Sequence, residues 1–158
     1  MTKECKQQFT LRISQANSTE MIVILYEMTL CYLEESEQAL QEGELDSFKE
    51  GVRKTRGCLN ELIASLHMEY EPAAELMQLY VFCLKRLAHA EVRKDTQALG
   101  EIRRILQPLH DAYEQIAPQN TQGPVMNNSQ AIYAGLTYGR NTLTENMTNQ
   151  SPNRGMLV

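Results

Sequence analysis

Four stretches of the chain repeat apolar residues at intervals of three and four, the spacing that lines one face of an α-helix. The first follows Asn17-Ser18-Thr19-Glu20, where Asn17 supplies a cap acceptor and Glu20 a capping-box partner. Its stripe is Ile22, Leu25, Tyr26, Thr29, Leu33 and Leu40, it runs to about Gln41, and Gly43 marks its end. The second, from about Glu44 to His67, carries Leu45, Phe48, Val52, Thr55, Leu59, Leu62, Ile63 and Leu66. The third begins near Pro72, whose missing amide costs nothing in a first turn, and carries Ala73, Leu76, Leu79, Tyr80, Cys83, Leu84, Leu87 and Ala90. The fourth is capped by Asp95, shows Ala98, Leu99, Ile102, Ile105, Leu106, Leu109, Tyr113 and Ile116, and stops at Pro118.

The flanks read differently. In residues 1–16, Phe9, Leu11 and Ile13 alternate with polar residues, which predicts an extended or irregular arm with a weakly apolar side. Beyond Pro118 the composition shifts to Asn, Gln, Thr, Ser, Gly and Pro. That shift predicts a linker followed by a tail in which Gly135 and Gly139 weaken any helix. Long amphipathic helices joined by short connections form an antiparallel up-and-down bundle. The predicted fold class is all-α: a four-helix bundle over residues 17–117, with an N-terminal arm at 1–16 and a C-terminal extension at 118–158.

Composition narrows the function classes. The 158 residues are 42% hydrophobic and 22% charged, ordinary for a globular domain. No apolar run approaches the roughly 20 residues that span a bilayer, and the first residues lack a secretory signal's apolar core. Both features predict a cytoplasmic protein without membrane insertion. A net charge of −5, with both signs mixed along the helices, argues against nucleic acid as a partner. The run Arg53-Lys54-Thr55-Arg56 reads as a solvated helix face. The four cysteines (Cys5, Cys31, Cys58, Cys83) lack the pair spacing of zinc or redox motifs, and three of them read as buried thiols.

No catalytic residue, cofactor or metal site is predicted. None of His67, His89 or His110 follows a Glu by three residues, as a bundle di-metal site requires. Phosphate-binding glycine loops and nucleophile elbows are missing too. His89 is the candidate for an alternative, histidine phosphotransfer, but Lys94 lies five residues on and so off its helical face. His67 and His110 read as helix-end histidines.

The order of several short segments carries more information. Asn17 to Glu27, with its apolar run into Leu25-Tyr26-Glu27, resembles the opening of the flagellin export chaperones of the FliS family. The corner Ser65-Leu66-His67-Met68-Glu69-Tyr70, the run Leu76-x-x-Leu79-Tyr80, Arg86-Leu87-x-x-Ala90 before Asp95, and Asp111-Ala112-Tyr113 are similar to that family in the same order, over about residues 9–116. The chain departs from the pattern at Asn17-Ser18 in place of Ser-Pro, at Met28 in place of a small residue, and in its long tail.

The resemblance implies a chaperone that holds the disordered C-terminal segment of flagellin, prevents premature polymerisation and delivers it to the flagellar type III export apparatus. Export-gate and regulatory proteins are implied as further partners. A helical adaptor for another client is the remaining alternative. An amphipathic client segment that folds on binding needs an apolar groove. Leu25, Tyr26, Leu66, Leu76, Leu79, Tyr80 and Leu87 are expected in or under it, with plain core as the competing assignment. Phe9 and Ile13 are expected to act as a lid. The ending Asn149 to Val158 resembles the ends of flagellins, so Leu136, Leu143 and Met147 are expected to mimic the client in the groove.

Overall fold

The computed structural model describes residues 1–126. Five α-helices, α1 (Lys3–Gln15), α2 (Ser18–Glu42), α3 (Leu45–Ala64), α4 (Ala73–Arg93) and α5 (Thr96–Ile116), precede a 3-10 turn at Ala117–Gln119. No strand occurs among the described residues. Helices α2 to α5 correspond to the four apolar stripes, within a few residues at each end.

Their ends follow local chemistry. The Asn17 side chain accepts from the amides of Thr19 and Glu20, and Glu20 accepts from the Asn17 amide, closing a capping box. Gly43 ends α2 in the left-handed region, φ 76°, where a Cβ is penalised. Asp95 caps α5 through the Gln97 amide. Lys94 stands at φ 56° to make the tight α4–α5 turn, an unusual conformation for a residue with a side chain.

Helix α2 packs against α3 and α5, and α4 against the same two, so α2 and α4 are diagonal partners. The buried cluster at the centre includes Tyr26 and Leu33 of α2, Phe48, Val52, Leu59 and Leu62 of α3, Leu76, Tyr80, Cys83 and Leu87 of α4, and Leu99, Ile102 and Leu106 of α5. The α2–α3 seam is the most extensive and includes a close approach at Gly51. A Cβ built there would fall 2.3 Å from Ser36 Oγ.

The expected irregular arm is instead a helix. Thr2 caps α1 by accepting from the Cys5 amide, and α1 packs on α2. Arg12 meets Glu27 and Met1 lies by Glu35, so α1 runs antiparallel to α2. The segment after α5 is tied to the α1–α2 junction. There Asn120 accepts from the Asn17 amide group, and Val125 N–H donates to Ala16 C=O at 3.0 Å. Among the described residues, no helix is long and apolar enough to cross a membrane.

Candidate functional site

In an antiparallel bundle the starts of α2 and α4 meet the ends of α3 and α5. At that end of the molecule the side chains do not close over the core. A cavity of about 210 Å³ remains, lined by Thr19, Ile22, Ser65, Leu66, His67, Tyr70, Tyr80, Tyr113 and Ile116. Its lining is largely apolar or aromatic, and at its rim Tyr70 and Ile116 are 59% and 45% exposed. Met68, 63% exposed, stands in the same α3–α4 corner.

Three tyrosines pack together at its base, Tyr80 and Tyr113 lining it and Tyr26 beneath them. The Tyr26 ring packs against Tyr80 (6.3 Å between centroids) and Tyr113 (5.6 Å), and the Tyr26 and Tyr80 hydroxyls hydrogen-bond to each other. Burial disfavours the phenolate, so Tyr26 is strongly raised above the ordinary tyrosine value and Tyr80 is pushed up to about 12. These hydroxyls therefore stay protonated and neutral at physiological pH.

The residues expected in the groove divide into three sets. Leu66 and Tyr80 line the cavity, and Tyr26 lies beneath it. Leu76 and Leu87 are core, with Leu87 fully buried, and Leu25 is half-buried against that core. Leu79, read as part of the inner stripe of its helix, points outward at 36% exposure. With Val81 and Phe82 it belongs to an exposed apolar stretch on α4. The half-buried Phe9 carries the Arg12 guanidinium over its ring at 5.7 Å, and Ile13 is half-buried. Neither lines the cavity. Leu136, Leu143 and Met147 lie outside the described residues.

Sequence reasoning placed Ile22, Tyr113 and Ile116 on apolar stripes, and Tyr70 and Tyr113 in segments that resemble the FliS family, but put none of the four at the site. All four sit near helix ends that an antiparallel bundle brings together, which is the signal that would have found them. Phe82 carries a second signal, an aromatic residue off its helix's apolar stripe. His89 is exposed and its nearest ionic neighbour is Asp95, at 3.6 Å. His110 is not a helix-end histidine: it is half-buried at the α2–α5 seam, with 12% of its side chain exposed.

A family model described as flagellar protein FliS matches residues 1–120. The chain belongs to the FliS family. It is 24% identical over 103 residues to the flagellar secretion chaperone FliS of Bacillus subtilis (strain 168), covering 65% of this chain and 77% of that one. It is 28% identical over 110 residues to the flagellar secretion chaperone FliS of Salmonella typhimurium, covering 68% and 82%. FliS is a family of flagellar secretion chaperones and not of enzymes, and membership gives this chain a flagellar export chaperone role. The match takes in α1 as well as the bundle, so the N-terminal helix belongs to the family's pattern.

Proposed function

We propose that this protein binds the C-terminal segment of flagellin in the cytosol, keeps it from polymerising and hands it to the flagellar type III export apparatus. The observation that carries the reading is the open apolar cavity walled by Tyr80, Tyr113, Leu66 and Ile22, with exposed Tyr70 and Ile116 at its mouth. A segment that is disordered when free and amphipathic when folded buries its apolar side chains in such a recess. The exposed Leu79, Val81 and Phe82 of α4 offer further apolar surface for a long client.

Calorimetric titration with the C-terminal segment of the host flagellin tests the proposal. One-to-one binding with a negative heat-capacity change is expected, because apolar surface is buried. Tyr70→Ala and Ile116→Ser alter exposed side chains and leave the core intact, so both variants should fold normally. Each is expected to weaken binding about tenfold, within the range of interface truncations. Unchanged affinity in both variants would place the client elsewhere. Residues 127–158 are proposed to compete with the client for the same recess, so their deletion is expected to tighten binding. Equal affinity with and without them refutes the competition.

A further inference from the structure

At the seam between α2 and α5, Glu27, His110 and Glu114 each direct a ligand atom to within 4.8 Å of the other two. His110 and Glu114 are one helical turn apart on α5, and Glu27 faces them from α2. His110 Nδ1 lies 3.0 Å from Asp111 Oδ1. The Asp111 carboxylate can only accept, so Nδ1 carries the proton and Nε2 presents its lone pair. That Nε2 is buried without a hydrogen-bond partner, and Glu27 Oε1 lies 3.6 Å from it, beyond hydrogen-bond reach. The cluster thus places a buried lone pair opposite two carboxylates, of which Glu27 is held by Arg12 from its other side. Asp111 stands where an outer carboxylate orients a metal-ligating histidine and raises its basicity. An open cleft of about 410 Å³, bordered by Glu27, Cys31, Glu34, Arg103, Gln107 and His110, adjoins two of the three cluster residues.

We propose that Glu27, His110 Nε2 and Glu114 form a binding site for a divalent transition-metal ion of the zinc type, completed by water. One imidazole and two carboxylates suit such an ion, which takes three protein ligands and an open fourth position. Metal–ligand bonds of about 2.0–2.1 Å set donor atoms about 3.3 Å apart in a tetrahedron. The cluster must therefore contract, and exposed Glu114 is free to turn inward.

Glu27 also accepts from both terminal nitrogens of Arg12, the contact that holds the end of α1 on α2. A metal that takes a Glu27 oxygen competes with that ion pair. Occupancy of the site is in this way coupled to the docking of α1.

Competition of the full-length protein with a chromophoric chelator for Zn2+ tests the site, with Co2+ absorption reporting the donor atoms. One ion per chain is expected, with Co2+ bands of nitrogen and oxygen ligation and no thiolate charge transfer. Glu114→Gln, an exposed change that leaves folding intact, and His110→Gln should each weaken binding at least tenfold. Arg12→Gln should tighten it several-fold by freeing Glu27, while Cys5→Ser with Cys31→Ser should leave it unchanged. Amide exchange in residues 3–15 should accelerate when Zn2+ is added. No binding up to about 100 µM Zn2+ overturns the proposal, as does binding that survives Glu114→Gln and His110→Gln or is lost with the cysteines. Unchanged affinity in Arg12→Gln overturns the coupling to α1.

Discussion

Tyr26 and Tyr80 come from diagonal helices, and their hydroxyls meet in the middle of the bundle. Both residues are almost wholly buried, so each hydroxyl depends on the other. Replacing one by Phe removes a single partner and leaves the other hydroxyl unsatisfied, at a cost of about 1–3 kcal/mol. Replacing both removes the polar demand with little change of shape. Urea unfolding should show that Tyr26→Phe and Tyr80→Phe each lower stability, and that the double variant loses less than the sum. Strict additivity would mean that the two hydroxyls do not depend on each other. The pair also shows where sequence reasoning stops at this scale. The spacing put both tyrosines on inward stripes, but their meeting across the core depends on which helices lie diagonally.

The α2–α3 seam depends on a missing side chain. The helices approach so closely that a Cβ on Gly51 would stand 2.3 Å from Ser36 Oγ and 3.4 Å from the Tyr32 carbonyl oxygen. Gly51→Val must turn Ser36 Oγ out of its bond to the Tyr32 carbonyl and crowd the seam with two further methyl groups, an overpacking worth about 1–3 kcal/mol. A Cβ on Gly57 or Gly100 meets nothing within 4 Å. There the intrinsic helix preference decides, and Gly57→Ala and Gly100→Ala should each add about 0.5–1 kcal/mol. Thermal melts of the three variants check this, and a Gly51→Val protein as stable as the parent would rule out the close approach. Element boundaries were legible where the residues announce them, at Asn17, Gly43, Asp95 and Pro118. Helix α1 was not, because Phe9, Leu11 and Ile13 fall at a spacing of two and most of its other residues are polar. Docking on α2 and the Thr2 cap make it helical; the cap and the spacing of four in Cys5, Phe9 and Ile13 were local signals, which the alternation of Phe9, Leu11 and Ile13 outweighed. Glu27, His110 and Glu114 escaped for a related reason: two neighbouring ligands on one helix become a cluster only through the register of another.

At the scale of the whole molecule, the bundle was legible because four stripes with short connections leave few arrangements, whereas the cavity arises from how the four ends fail to close. The groups at the centre tie the bundle to alkaline pH. Tyr26, Tyr80 and Cys83 lie there, on α2 and α4. Burial raises Tyr80 from 10.0 to about 12, Cys83 from 9.0 to about 12, and Tyr26 further in the same direction. Below the unfolded values these groups are neutral in both states, so the stability they contribute is fully present. As pH rises past 9–10 the unfolded chain ionises first, and that stability is lost progressively toward about 12. One step of the tyrosinate absorbance should therefore coincide with the loss of helical circular dichroism between pH 10 and 12, because the central phenols ionise when the bundle opens. In Tyr80→Phe the coincident absorbance step should shrink. Ionisation of the central tyrosines with helicity intact would give the opposite answer: hydroxide would be reaching Tyr80 through the cavity, and the floor of that recess would be wet in the folded protein.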